Sequence, residues 1–323
     1  MPSPRVTVVL PAKDAAPFLD TTLTTLARQF DDLHHLKLVA IDDGSRDGTG
    51  EAMRRHAAHL PHAEVIVNPQ PVGLASARNQ GLARVETDLY CFLDGDDWMA
   101  PLRLQTLADA MDHLGCDFVR TDHITVTETR RQLVRAPYPW RNIACPPRDG
   151  ILPSTEVTMV DYPYAWAGML HRRLIDDGVA EFPEGLFTAE DRPWIWNLHL
   201  STSSFAVVDA PALLYRRGVS TSLTQVHDRR QLDFVPAFAQ ALEIVAADRD
   251  ADRFLPKLVT TILAVSAHHL NRSVSMPWDV RRDLRRGVRD LLRPVPRATL
   301  ELCLDGTSQR RRRLLAPYVR RAA

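Results

Sequence analysis

No run of 18 apolar residues occurs in this chain, which rules out a membrane-spanning helix of ordinary length. The nearest approach, Leu255 to Leu270, contains Lys257 and two histidines and reads as a buried helix. The N-terminus lacks a charged leader followed by a long apolar region, so no secretory signal is expected. Cysteine is scarce. Cys91, Cys116, Cys145 and Cys303 have no Cys-x-x-Cys spacing, which excludes a disulfide framework and suits reduced core thiols in a cytoplasmic protein. Lysine is scarcer still, at three against 37 arginines, a bias of base composition with no mechanism attached. Neither a Gly-x-Gly-x-x-Gly fingerprint nor a Gly-Lys-Ser/Thr phosphate loop is present, which disfavours a dinucleotide dehydrogenase and a standard NTPase.

What is present is an ordinary apolar share of 45% and a net charge of zero that is unevenly spread. From Trp278 onward there are 13 arginines, no lysine and five acids. Such a stretch suits an anionic partner, an anionic membrane surface or a polyanionic glycan, unless it is merely a solvated helical face. It lacks the interleaved aromatics of a base-stacking surface, so no specific nucleic acid is expected.

Strand and helix patterns alternate over the first 120 or so residues. Apolar, β-branched runs at Arg5–Leu10, Leu36–Ile41, Val65–Val67, Asp88–Leu93 and Asp117–Thr121 read as strands. Pro11 should stop the first. Helices fit Pro17–Gln29, a segment capped by Thr49, the stretch up to Leu82, and one opened by Pro101. This order implies a mostly parallel α/β sheet with right-handed crossovers. Residues 123–160 fit hairpin strands and a proline-rich loop. A short helix near Arg172, a helix from Asp191, and strands at Phe205–Val208 and Leu213–Tyr215 follow. Beyond Gln225 the pattern is helical, with Val280, Leu284, Val288 and Leu291 on one stripe of a helix studded with arginine. A boundary falls near residue 224.

The most informative segment is Tyr90-Cys91-Phe92-Leu93-Asp94-Gly95-Asp96-Asp97-Trp98. A buried strand ends in three acids within four positions, at the sheet edge where open α/β folds bind ligands. Carboxylates so close repel one another unless a cation joins them, and hard oxygen ligands suit magnesium or manganese, which in turn hold phosphate. A solvated acidic turn is the competing reading. Pro11 and Asp43 also follow strands and so share that edge. Gly73-Leu74-Ala75-Ser76-Ala77-Arg78 forms a small-residue loop entering a helix, and Arg78 could fork onto a carboxylate or a diphosphate.

Taken in order, these pieces resemble the family 2 glycosyltransferases. They are Val8-Val9-Leu10-Pro11, Ile41-Asp42-Asp43-Gly44-Ser45, Gly73-Leu74-Ala75 with Ala77-Arg78-Asn79-Gly81, Leu93-Asp94-Gly95-Asp96-Asp97, and Phe182-Pro183-Glu184-Gly185 with Thr188-Ala189-Glu190-Asp191. The resemblance spans residues 5 to about 224. It implies a Rossmann-like GT-A catalytic domain over 1–224 and an α-helical accessory region over 225–323. It also implies roles. Pro11 and Asp43 would hold the base of the nucleotide, usually uracil, and Arg78 would line its pocket. Asp94 would reach the ribose or the metal. Asp96 would be the chief ligand of Mn2+ or Mg2+, and Asp97 would help orient the sugar or the ligand shell. Asp191 would be the general base of an inverting displacement, with Glu190 its neighbour. Arg216 or Arg217, with Ser220 or Ser222, would contact the diphosphate.

Acids favour a helix start, so capping competes with catalysis for Glu190 and Asp191. Trp166, Trp194 and Trp196 fit either core packing or a sugar-stacking wall. Lys13-Asp14 stands where many relatives have Tyr-Asn. The Gln-x-x-Arg-Trp of processive synthases is missing. The expected activity is therefore transfer of one or a few sugars from a UDP-sugar to a glycan, a wall polymer of the teichoic-acid type, or a lipid-linked acceptor. The helical region would meet the acceptor, the inner membrane face or a second subunit. The rival reading is a non-catalytic sugar-nucleotide or glycan-binding module with a basic helical tail.

Overall fold

The computed structural model describes residues 3–218 and 229–322. The chain divides into two compact units, each assembled from separate stretches. The first takes residues 1–147, 164–185 and 201–222; the second takes 148–163, 186–200 and 223–323. The boundary near 224 falls outside the described residues.

The first unit is an α/β sheet. Its strands are β1 (Val6–Ala12), β2 (Leu36–Asp42), β3 (His62–Val67), β4 (Leu89–Phe92), β5 (Trp98–Met99), β6 (Phe118–Arg120), β7 (His123–Val126), β8 (Arg131–Val134), β9 (Gly168–His171), β10 (Phe205–Val207) and β11 (Leu213–Arg216). Seven of them form a sheet in the order β10-β6-β9-β4-β1-β2-β3. The pairs β1·β2, β1·β4, β2·β3 and β6·β10 are parallel, and β9 runs antiparallel between β4 and β6. Strands β1, β4 and β6 are buried along their whole length, as near-continuous apolar runs in a doubly covered sheet must be. Burying each such Val, Leu or Phe contributes about 1.5–3 kcal/mol. The helices α1 (Ala16–Leu26), α2 (Thr49–Ala57), α3 (Leu74–Leu82), α4 (Arg103–Leu114) and α5 (Arg173–Asp176) belong to this unit.

Two local expectations change. Pro11 does not end β1, which runs on to Ala12 opposite Asp42. Pairing with β4 stops at Val9 and Phe92, so Pro11 sits where only β2 adjoins and a missing N–H is tolerated. Thr49 does not cap α2. Gly48, at φ 89°, holds that place, and the Thr49 hydroxyl donates to Asp47 Oδ1 and accepts from Ala15 N.

A second sheet, in the order β5-β11-β7-β8, was not foreseen in this form. The β7–β8 hairpin fits the sequence, but β11 joins β7 in parallel and β5 antiparallel. The strand after the acids is thereby tied to a segment more than a hundred residues later.

The second unit is helical: α6 (Asp191–Ser201), α7 (Phe234–Ala246), α8 (Ala251–Arg272), α9 (Trp278–Leu292), α10 (Arg297–Asp305) and α11 (Gln309–Ala322). Phe254, Leu258, Val259, Ile262 and Leu263 bury one side of α8, as the Leu255–Leu270 pattern predicts. Lys257 lies inside, its ammonium on the Asp161 carboxylate and the Glu156 carbonyl, and Thr261 donates to the other Asp161 oxygen at 2.8 Å. Arg148 is clamped by Asp248 at 2.6 Å and Asp250 at 2.9 Å. Val280, Leu284, Val288 and Leu291 are all buried along α9. Among the described residues, no helix is long and apolar enough to cross a membrane.

Candidate active site

Strands β1, β2 and β4 run the same way, so Pro11, Asp43 and Asp94 all arrive at one edge of the sheet. Asp43 follows β2 directly and is buried. Its Oδ1 accepts from Val72 N at 2.7 Å and Asn68 Nδ2 at 3.2 Å, and its Oδ2 accepts from Gly73 N at 3.0 Å. Charge-assisted bonds of this kind latch the loop before α3 onto the tip of β2. Neighbouring Asp42 turns the other way and accepts from Ser45 N at 3.0 Å.

From the latched loop α3 projects Arg78, which is 3% exposed. Its Nη2 donates to Asp94 Oδ1 at 3.1 Å. Its guanidinium lies 5.0 Å from the Phe182 ring centre and 5.8 Å from that of Phe92. Asn79 fixes the Phe182 backbone with two bonds, at 2.8 and 2.9 Å. Thus the Phe182-Pro183 motif supports the arginine from the same unit.

The acid turn is tightly built. A Cβ on Gly95 would sit 2.5 Å from the Ala12 Cβ, so only glycine lets the turn close against β1. Asp96 has its pKa pushed up to about 6, first by burial and then by the charge of Asp94. Asp97 is fully buried and is pushed well above the usual carboxylate range by burial and by Asp96 and Asp94. Its Oδ1 accepts from Arg216 N at 2.8 Å. Its Oδ2 has no hydrogen-bond partner among the described residues. Asp97 therefore pins the end of β11 to the acid turn from a buried position.

Arg216 donates from Nε to the Asp96 carbonyl at 2.9 Å, and its guanidinium lies 4.6 Å from the Trp98 ring centre and 4.9 Å from that of Phe18. Arg217 is exposed and donates to Tyr215 Oη at 3.1 Å. Pro11, Asp43, Arg78, Asp94, Asp96 and Arg216 are thus brought to one edge. Ser222 and Ser220 lie outside the described residues. Trp166 is buried in an aromatic cluster, stacked on Tyr164 at 4.8 Å and close to Tyr215 and His123. Trp194 and Trp196 are each 1% exposed, which leaves no face of any of the three for a sugar wall.

Glu190 and Asp191 belong to the second unit. Glu190 is buried, and Asp191 is the first residue of α6 with Arg192 Nε 3.9 Å from its Oδ1. Ala189 before them has φ 62°, so the chain turns sharply into the helix.

Asp94 and Asp96 fit a divalent cation. Burial first, and then the charge of Asp94, disfavour a charged Asp96, and a cation would offset both. Among the described residues, no group of three or more His, Cys, Asp or Glu forms a complete protein cage. A pair of carboxylates is the donor set magnesium uses when substrate phosphates supply the rest.

Sequence reading missed the backbone donors at Val72 and Gly73, the aromatic supports Phe92, Phe182, Phe18 and Trp98, and the clamp from Asp97 to Arg216. Backbone donors leave no trace in residue type, and the clamp joins residues 119 apart.

One parallel α/β edge thus carries Asp43, Asp94 and Asp96 together with Arg78. The family model described as "Glycosyl transferase family 2" matches residues 7–208, and the chain belongs to that family. The chain is 25% identical over 235 residues to the "Uncharacterized glycosyltransferase EpsJ" of Bacillus subtilis, covering 71% of this chain and 66% of EpsJ. It is 27% identical over 121 residues to TuaG of the same organism, whose description assigns it provisionally to teichuronic acid biosynthesis as a glycosyltransferase. That match covers 37% of this chain and 47% of TuaG. The chain thus spans less than two thirds of either relative's length. Among solved structures, S. aureus TarS 1-349 in complex with UDP matches with a TM-score of 0.77 at 18% identity, covering 98% of this chain and 87% of TarS. The fold is therefore that of the GT-A type with a C-terminal helical region.

Proposed function

We propose that this protein transfers one sugar from a nucleoside diphosphate sugar, UDP-linked, to a hydroxyl of a glycan, wall polymer or lipid-linked acceptor, with inversion. The observation that carries the reading is the convergence at one sheet edge of Asp43, Arg78, Asp94 and Asp96. UDP in the structural relative TarS and teichuronic acid in the description of TuaG support the donor and acceptor classes.

Pro11 and the latched Asp43 would form the wall against the base. Arg78, desolvated between two phenyl rings, holds Asp94 in place for the ribose or metal. Asp94 and Asp96 would hold Mn2+ or Mg2+, with the remaining ligands coming from the diphosphate. When bound, such a cation offsets negative charge gathering on the leaving diphosphate. Arg216 and Arg217, with Ser222, would meet the same oxygens.

In the reaction the acceptor oxygen attacks the anomeric carbon. The bond from that carbon to the diphosphate oxygen breaks, and its electron pair leaves with the diphosphate. Asp191 takes the hydroxyl proton, a role for which a positioned carboxylate is worth about 10²–10⁴-fold. Glu190 supports it. The α-helical region, 225–323, would serve the acceptor.

The test is release of free UDP from UDP-sugars with manganese and acceptor present. Asp191→Asn should keep nucleotide binding and lose at least about 100-fold in transfer. Retained transfer would remove Asp191 as base. Nucleotide binding with no turnover in the unaltered protein would establish the binding-module reading in place of the enzyme.

A further inference from the structure

The helix α9 buries Val280, Leu284, Val288, Leu291 and Leu292 on one side. Its other side is unusual. Trp278, Arg282, Arg285, Arg286, Arg289 and Arg293 recur at three- and four-residue intervals and so form one stripe. The three acids of α9 lie off this stripe. Asp279 and Asp283 accept from Arg229 at 3.0 and 2.9 Å, Arg282 Nε also donates to Asp283 Oδ1 at 3.4 Å, and Asp290 pairs with Arg293 at 2.6 Å. Arg285 and Arg286 are exposed and have no acidic partner among the described residues. Of the five like charges along this face, Arg282 and Arg293 have acidic neighbours, and Arg285, Arg286 and Arg289 have none among the described residues.

The stripe ends in apolar surface. Trp278 is 68% exposed, with the Arg282 guanidinium 5.0 Å from its ring centre. Val274, four residues earlier in the chain in the short turn before α9, is 80% exposed. A large aromatic left in water beside a row of guanidinium groups matches a surface that is anionic and apolar at once. An extended polyanion in solution would match the arginines and leave Trp278 and Val274 without a purpose. A lipid bilayer matches both: phosphate headgroups for the arginine forks, and the headgroup–acyl boundary for the indole.

We infer that the exposed face of α9 docks this protein on a bilayer rich in anionic phospholipid, with Trp278 and Val274 seated at the interface and Arg282, Arg285, Arg286 and Arg289 on headgroup phosphates. The buried stripe keeps α9 folded against its own unit, so docking requires no unfolding. The inference does not depend on the transferase reading, since it concerns binding alone.

The experiment is sedimentation of the full chain with vesicles of phosphatidylcholine alone or with 30 mol% phosphatidylglycerol, at about 0.1 M salt. Binding to the anionic vesicles alone, weakening as salt rises, is expected. Arg285→Gln, Arg286→Gln and Arg289→Gln together should lower partitioning about 100-fold, since each basic residue near such a surface contributes roughly fivefold. All three are surface residues, and UDP binding should be unchanged in the variant, which checks its fold. With brominated lipid, tryptophan quenching should occur in the unaltered protein and fall in Trp278→Phe. Equal binding to both vesicle types, undiminished binding of the triple glutamine variant, or quenching that survives Trp278→Phe would each overturn the inference. So would binding to soluble polyphosphate together with no binding to either vesicle.

Discussion

Replacing Asp96 with asparagine should raise stability and abolish metal-dependent nucleotide binding in one step. Burial and Asp94 raise the Asp96 pKa to about 6 from an ordinary 3.8. At pH 8 the folded protein carries a charge its surroundings disfavour. A shift of about two units corresponds to about 3 kcal/mol, and discounting for partial exposure leaves about 1–2 kcal/mol. The sign follows from proton uptake. Between pH 4 and 6 the folded state binds more protons than the unfolded chain, so stability falls as pH rises through that window. Asparagine removes this penalty. Its advantage should be absent near pH 4, complete above pH 7, and about 2–8 °C in melting temperature for a unit of this size. Adding manganese and UDP should reverse the order, because only the carboxylate binds the cation and ligand stabilisation follows occupancy. Thermal melts at pH 5 and pH 8, with and without manganese and UDP, would show this crossing. A variant less stable than the parent at pH 8 without ligand would refute the reasoning, as would one that still gains from manganese and UDP.

Two other substitutions probe the frame. Gly95→Ala places a methyl group 2.5 Å from the Ala12 Cβ, so the acid turn must shift. Denaturant titration should show a loss of about 1–3 kcal/mol, with weaker nucleotide binding by calorimetry. Asp161→Ala strands the buried Lys257 ammonium and should cost about 3–5 kcal/mol, whereas Asp161→Leu combined with Lys257→Met should recover most of it in the same titration.

The parallel core was legible because β1, β2 and β4 are mostly apolar, buried runs with proline or aspartate at or just beyond their ends. The acids after Leu93 and the loop into α3 could be placed at one edge because parallel strands share a carboxyl end. The stripe of α9 was readable from its spacing for the same reason: burial imposes a period on sequence. What could not be read is pairing between distant segments. Trp98-Met99 is too short to carry a period, and its partner Leu213-Leu214 lies more than a hundred residues on. The insertion of β9 antiparallel between β4 and β6 depends on which edges remain unpaired after the rest has folded. Asp97 looked like its neighbours by residue type. Only the folded chain shows its burial beneath the end of β11 and its bond to Arg216 N.

The division of the chain bears on how such proteins can be recombined. Segments 148–163 and 186–200 pack in the helical unit although they lie amid the sequence of the α/β unit. A chimera joined at residue 224 would therefore import foreign partners for Arg148 and Asp161 while keeping the native turn into Asp191. Exchange of the whole helical unit between relatives, whether by breeding in the laboratory or by descent, would need five coordinated crossovers, and single-joint hybrids should be rare among those that fold.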